Sequence, residues 1–124
     1  MHFGMRLRFA AGVLAAVLLT TSGAAAAQAP AKGSATVTVR VVMFELGFKL
    51  SKQTVPRGSK VVFQVVNKGK IPHDFKIAKK KTPIFGAGKS ASLTVTFTRR
   101  GRYFYLCTVP GHVDGGMFGY LNVK

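Results

Sequence analysis

From residue 35 onward, the chain is a succession of short segments in which apolar and polar residues alternate, and this pattern limits its fold more than any other feature. Thr36 to Val41 alternates valine with polar side chains, and Pro72 to Ala78 is another predicted strand. Val61 to Val66 is a β-branched run that we expect to be buried on both faces. Turn residues separate the segments, as in Pro56 to Ser59 and Asn67 to Lys70. Because no segment after residue 34 shows helical periodicity, the pattern predicts an all-β sandwich or barrel.

The N-terminal part of the chain has the composition of a secretory leader. Arg6 and Arg8 precede an apolar run from Phe9 to Leu19, and small residues follow. Ala25 and Ala27 meet the small-x-small requirement for cleavage after Ala27. The alternative is an uncleaved membrane anchor, which the polar residues after the apolar run disfavour. The predicted organisation is a signal peptide of residues 1–27, a flexible lead-in of residues 28–34 and a β domain of residues 35–124.

Cations outnumber acids by 19 to 3 in a chain of 124 residues, a length that has room for one small domain. Residues 28–124 keep 17 of these cations and all 3 acids, so the net charge of +16 falls only to +14 after cleavage. Such a charge favours acidic partners or an anionic membrane surface. Nucleic acid is not an expected partner, because the chain is predicted to be periplasmic or otherwise exported and carries no nucleic-acid-binding motif.

Two histidines, one cysteine and one methionine carry the chemistry of the exported part. Cys107, His112 and Met117 lie in one segment with the spacing C-x4-H-x4-M, and His73 lies at the start of the predicted strand upstream. Two imidazoles, a thiolate and a thioether suit a copper ion that shuttles between Cu(I) and Cu(II). Three glycines in the same segment allow the backbone to bend closely around a metal.

Taken singly, each of these residues has a simpler explanation. A lone cysteine is most often a small buried apolar residue, a histidine a satisfied polar residue and a methionine a filler of the core. Taken jointly, these simpler explanations are less convincing, because the only cysteine and both histidines of residues 28–124 would have to fall into a metal-ligand pattern by chance. An exported free thiol without a disulfide partner also needs a reason to exist, and metal binding supplies one.

At these residues the chain resembles the cupredoxins, the small blue-copper family that includes plastocyanin, pseudoazurin and azurin. The resemblance covers essentially all of residues 35–124, and the C-x4-H-x4-M segment is its specific part. It implies a Greek-key β-sandwich of about seven to eight strands with one type 1 copper at one end. The matching stretches are Phe48 to Gly58, Val65 to Phe75 and Gly101 to Gly119.

The resemblance also implies roles for the individual residues. His73, Cys107 and His112 would be the trigonal copper ligands, and Met117 the axial one. His112 would reach solvent within an apolar patch on which a redox partner docks. The residues available for that patch are Val109, Pro110, Val113 and Phe118.

The chain departs from the family pattern in three ways. Asp74 follows the first histidine where many relatives have asparagine, and an ionised carboxylate there tends to lower the reduction potential unless it is hydrogen-bonded. Leu106 stands where plastocyanins have tyrosine, so their second electron route is not expected here. The ligand loop is longer than in plastocyanin and pseudoazurin, which leaves the partner open.

These observations support a mobile one-electron carrier that works between redox partners. Acidic proteins such as a c-type cytochrome or a copper oxidase or reductase are the expected partners, and the carrier is expected to be a monomer. The alternative is a copper-storage or delivery protein, and a hydrolytic zinc site is a third hypothesis. We do not expect an enzyme, since copper enzymes need additional histidines and residues 28–124 have none to spare.

Overall fold

Nine β-strands form two sheets in the computed structural model, which describes Gly12 and residues 35–124. The predicted signal peptide, apart from Gly12, and the predicted lead-in therefore lie outside the described residues. Within the described part, no helix is long and apolar enough to cross a membrane. The strands are β1 (Thr36–Phe44), β2 (Gly47–Leu50), β3 (Thr54–Val55), β4 (Lys60–Asn67), β5 (Lys76–Ile77), β6 (Lys80–Lys81), β7 (Ser90–Thr96), β8 (Gly101–Leu106) and β9 (Phe118–Val123).

The first sheet has the strand order β2-β1-β4-β7, and the second has the order β3-β9-β8-β5-β6. Two pairs are parallel, β1 with β4 and β3 with β9, and all other pairs are antiparallel. The chain therefore crosses between the sheets instead of running as a simple meander. Because β8 lies between β9 and β5, the last residue of β8 lies beside the first residues of β9 and β5, at one end of the second sheet.

The two-residue alternation predicted for β1 is confirmed, because Val39 and Val41 are fully buried whereas Thr38 and Arg40 are exposed. The expectation that the valine-rich run of β4 is buried on both faces is wrong. Val61, Phe63 and Val65 are buried, whereas Gln64 is exposed and Val62 and Val66 are only half-buried. Both strands thus belong to a sheet with one face on the core and one face toward water.

Aromatic rings fill the space between the sheets. Phe63 of β4 lies 5.2 Å from Phe75 and 6.3 Å from Phe97 between ring centroids. Phe75 lies 5.6 Å from Tyr105 of β8, and the rings of all four residues are buried. The tilted and edge-to-face arrangements are those that aromatic quadrupoles favour. This cluster joins the first sheet to the second directly beneath the strand ends that carry the ligand segment.

The structure differs from the predicted strands mainly between Pro72 and Ala78. Only Lys76 and Ile77 of that stretch form a strand, and His73 forms an isolated bridge with Phe85. Between these two segments, the backbone N–H of Thr108 donates to the side chain of Asp74 instead of to a strand carbonyl. The short β5 and β6 raise the strand count to nine, against the seven to eight expected.

Replacing the central ring of the core tests this description of the sandwich. We expect Phe63→Ala to lower the free energy of unfolding by about 3–5 kcal/mol, because it leaves a cavity among buried rings. Phe104→Ala, on the outer face of the second sheet, is the matched control and should cost less than about 1 kcal/mol. Urea denaturation of both variants measures the difference, and equal losses would contradict the placement of the core.

Candidate metal centre

The antiparallel pairing of β8 with β9 brings the ends of the C-x4-H-x4-M segment together. Cys107 directly follows β8, and Met117 directly precedes β9. The backbone N–H of Cys107 donates to the carbonyl of Met117 at 3.2 Å, and the N–H of Met117 donates to the carbonyl of His112 at 2.9 Å. The segment therefore closes into a compact loop with its side chains at one end of the second sheet.

Successive tight turns carry the chain around this loop. The N–H of His112 donates to the carbonyl of Val109 at 3.1 Å, and further turns follow as far as Met117. Gly111 and Gly116 have φ angles of 84° and 102°, in the left-handed region that favours glycine. The predicted need for glycine in this segment is confirmed at these two positions.

His73 reaches the same end of the sandwich from the connection between β4 and β5. The backbone N–H of His73 donates to the carbonyl of Phe85 at 3.2 Å, and the N–H of Phe85 donates to the carbonyl of His73 at 3.0 Å. The His73 side chain is fully buried. The first histidine is thus anchored by its own backbone, independently of the loop that holds His112.

The donor atoms of His73, Cys107 and His112 form a triangle. Nδ1 of His73 lies 3.2 Å from Nδ1 of His112, and the Cys107 Sγ lies 3.9 Å from the former and 3.4 Å from the latter. A circle through three points at these separations has a radius of about 2.0 Å, which is close to the length of metal–imidazole and metal–thiolate bonds. The triangle therefore fits a single metal ion, and the donor set is the one that copper prefers.

The fourth predicted residue, Met117, occupies a different position from the other three. Its side chain is fully buried in the core, and its backbone is bonded to both Cys107 and His112. The triangle itself consists only of the two imidazoles and the thiol, and the axial role of Met117 stays a prediction from the resemblance.

Asp74 joins the two segments that carry the donor atoms. Its fully buried carboxylate accepts a hydrogen bond from the backbone N–H of Thr108 at 2.6 Å and a second from the Thr108 hydroxyl. Thr108 follows Cys107 in the chain, and Asp74 follows His73. The carboxylate that departs from the family pattern is therefore hydrogen-bonded, and it holds the cysteine and the first histidine at a set distance.

Burial controls the protonation of the donors. Burial raises the pKa of the Cys107 thiol above its ordinary value, and the backbone amides of Asp74 and Val109 oppose that rise. Burial lowers the pKa of His73, and the neighbouring His112 lowers it further. At neutral pH the metal-free site therefore contains a protonated thiol and a neutral His73 imidazole.

Two residues to which the sequence analysis gave no role at the site hold the His73 connection in place. Asn67, at the end of β4, donates from Nδ2 to the carbonyls of Ile71 and Phe85, both at 2.9 Å. Glu45 accepts hydrogen bonds from the backbone N–H groups of Lys70 and Ile71, and these bonds lower the pKa of its carboxyl. Glu45 is one of only three acids in residues 28–124, and that scarcity was the signal that could have singled it out.

Three of the four residues predicted to surround His112 lie with it in the ligand loop, namely Val109, Pro110 and Val113. The fourth, Phe118, belongs to β9, and its ring lies 5.6 Å from that of Phe104 instead. His112 is half-buried, Pro110 is exposed, and the adjacent valines are half-buried. Leu46 and Ile71, which were not predicted, are also exposed, by 43% and 42%. Leu46 lies against the loop, since a Cβ at Gly115 would be 2.9 Å from its Cδ1. His112 is therefore the donor nearest to solvent.

Comparisons with known proteins agree with this geometry. The Cupredoxin-like domain family matches residues 11–117, and the chain belongs to that family. A curated relative, the copper-resistant cuproprotein CopI of Rubrivivax gelatinosus, is 30% identical over 109 residues. The match covers 70% of this chain and 66% of the relative, so the chain spans slightly less than two thirds of that protein's length.

Solved structures of blue copper proteins share the fold. Auracyanin from Roseiflexus castenholzii is matched with a TM-score of 0.66 and 24% identity, over 73% of this chain and 99% of that one. Rusticyanin from Thiobacillus ferrooxidans is matched with a TM-score of 0.64 and 24% identity, over 73% of this chain and 79% of the rusticyanin chain. Both likenesses establish the β-sandwich, and the predicted fold class and the predicted copper cofactor are confirmed.

The link between Asp74 and Thr108 can be tested by removing the acceptor. Asp74→Ala leaves two donors of Thr108 without a partner and should lower the unfolding free energy of the metal-free protein by about 2–4 kcal/mol. Asp74→Asn keeps one acceptor oxygen and should cost less than about 1.5 kcal/mol. Thr108→Val, which removes only the hydroxyl, is the control and should fall between them. Equal losses in urea denaturation for Ala and Asn would refute the role given to the carboxylate.

The affinity of the site for Cu(I) should depend on pH. Because the pKa of Cys107 is raised, binding must displace a proton from the thiol at neutral pH, whereas the neutral His73 releases none. The affinity should therefore rise about tenfold per pH unit between about pH 7 and pH 8. Competition against a Cu(I) chelator of known pH dependence measures the slope, and a flat profile would show that the thiolate is already formed.

Proposed function

We propose that this protein is an exported one-electron carrier whose single copper ion is held by His73, Cys107, His112 and Met117. The observation that carries the proposal is the triangle of donor atoms, which has the size of a single metal site and includes the only cysteine of the chain. Bound copper would supply the Cu(I)/Cu(II) couple. The cleaved leader expected for residues 1–27 would place the carrier in the periplasm.

A carrier needs ligands that move little when the charge of the metal changes, because reorganisation slows electron transfer. Here His73 is fixed by its bridge to Phe85, and Cys107 is fixed by its bond to Met117. The carboxylate of Asp74 ties the two segments together. These restraints act on both segments that carry the donor atoms, so the scaffold offers nearly one geometry to both oxidation states.

The position of His112 supplies a path for the electron. His73, Cys107 and Met117 are fully buried, whereas His112 is half-buried under an apolar rim that includes Pro110. We infer that electrons enter and leave through this imidazole. The partners are acidic redox proteins such as a c-type cytochrome or a copper oxidase or reductase, which the excess of cations would attract to a monomeric carrier.

A role in copper resistance is the second candidate, and the similarity to CopI of Rubrivivax gelatinosus favours it. Copper delivery would be served by exposed, loosely held methionines or histidines. The only other methionine of residues 28–124 is Met43, which is fully buried in the core. Both histidines of residues 28–124 belong to the triangle, so a second copper site for enzymatic chemistry has no histidine available.

Spectroscopy of the copper-loaded protein provides the test of the site. Cu(II) added to residues 28–124 should produce an intense thiolate-to-copper charge-transfer band, which Cys107→Ser should abolish. Met117→Gln is the companion variant, and it should keep the band and lower the reduction potential because an oxygen donor favours Cu(II). A colourless wild-type complex would refute the assignment, and a raised potential would remove Met117 from the axial role.

The same preparation separates the carrier from the copper-handling protein. The reduced, copper-loaded protein is mixed with an oxidised c-type cytochrome in the presence of a Cu(I) chelator, and both signals are followed. A carrier transfers its electron and keeps its copper through repeated cycles. Loss of copper to the chelator faster than reduction of the cytochrome would favour copper handling instead.

A further inference from the structure

The outer face of the second sheet carries three exposed aromatic side chains in one patch. Phe104, Phe118 and Tyr120 are 40%, 44% and 42% exposed, and we call these three residues the aromatic face. The centroid of Phe104 lies 5.6 Å from that of Phe118 and 5.4 Å from that of Tyr120. The rings point away from the core, because the alternate residues Tyr105 and Leu121 fill it. A contiguous apolar patch of this kind usually marks an interaction surface.

Cations border the aromatic face on two sides. The guanidinium of Arg102 lies 4.2 Å above the ring of Tyr120. On the other side, Lys76 of β5 pairs with Leu106 of β8, and Lys81 of β6 pairs with Lys76. Since Ile77 is buried, these paired lysines lie on the same outer face as the aromatic rings. The face is therefore apolar at its centre and positive at its margins.

No acidic residue belongs to the five strands of this sheet. Of the three acids in the described residues, Asp74 is buried against Thr108 and Glu45 is bonded to the His73 connection. The third, Asp114, lies in the ligand loop. The positive margin of the aromatic face is thus uncompensated within its own sheet, and it would attract a negatively charged surface.

We propose that the aromatic face docks the protein on an anionic membrane surface. Aromatic rings are stable at the level of the lipid headgroups, and each lysine or arginine near anionic lipid adds attraction. A protein partner fits less well, because lysine is depleted from protein–protein interfaces whereas it dominates the margin here. A second copy of the chain would be repelled by the net charge of the exported part, 17 cations against 3 acids.

Docking in this orientation would also place the metal centre close to the bilayer. Phe118 directly follows Met117, and Leu106 directly precedes Cys107, so the aromatic face adjoins the ligand end of the sheet. A carrier held in this way would reach membrane-bound redox partners by diffusing along the membrane surface. The proposal does not rest on electron transfer, because membrane binding can be measured without any redox reaction.

The test is co-sedimentation of the copper-loaded protein, residues 28–124, with unilamellar vesicles. This form contains both sheets and the complete core, and it lacks the apolar leader that would itself enter a bilayer. Binding is expected to vesicles of phosphatidylcholine and phosphatidylglycerol mixed at about 2:1, and not to phosphatidylcholine alone. Phe104→Ser should weaken it about tenfold, and Lys81→Ser about fivefold.

The first sheet offers a matched control for each variant. Phe44 on its outer face is 43% exposed, and Lys49 of β2 is exposed as well. Phe44→Ser and Lys49→Ser should leave the affinity for the anionic vesicles within about twofold of the wild type, because neither residue lies on the second sheet. Near-ultraviolet circular dichroism of all four variants checks that the fold is kept.

Three outcomes would overturn the proposal. The first is no binding to the anionic vesicles, and the second is equal weakening by Phe44→Ser and Phe104→Ser, which would indicate attraction by net charge alone. The third is a Phe104→Ser variant that binds vesicles normally but binds an acidic c-type cytochrome, or a second copy, more weakly than the wild type does. In that case the aromatic face is a protein interface.

Discussion

The antiparallel pairing of β8 with β9 is the constraint on which the metal centre depends. It places Cys107 and Met117 at the same end of the second sheet, and the tight turns of the loop between them return His112 to that point. The core beneath this end is a cluster of aromatic rings that joins the two sheets. A shift in the register of this one pair would separate the donor atoms and expose the face that now covers the core.

Burying an imidazole, a thiol and a carboxylate at one place is costly unless each of them has a partner. The structure meets this requirement largely with backbone hydrogen bonds, from Thr108 to Asp74 and from the two amides that face Cys107. Within the described residues, the Nε2 atom of His73 is buried without a hydrogen-bond partner. Metal binding at the opposite ring nitrogen would stabilise this arrangement, since a ligand that binds only the folded state adds to its stability.

The strands of the second sheet support two different surfaces, the ligand loop at its end and the aromatic face along its side. Inward residues of β8 and β9 close the core, their ends support the metal-binding loop, and their outward residues form the aromatic face. The apolar rim around His112 lies at the end of the sandwich, whereas the aromatic face lies along its side. The separation would allow the proposed electron exchange at the end of the sandwich to proceed while the side is engaged in the proposed membrane contact.

Local patterns in the sequence were sufficient to predict the β class, the inward valines of β1 and the three residues whose donor atoms the structure brings together, His73, Cys107 and His112. They were sufficient because alternation has a period of two residues and three of the four predicted ligands lie within eleven residues. The one-sided burial of β4, the irregular path after Pro72 and the roles of Glu45 and Asn67 were not predictable from such patterns. Each depends on contacts between segments far apart in the chain, and only the order and register of the strands in the folded sheets decide which segments meet.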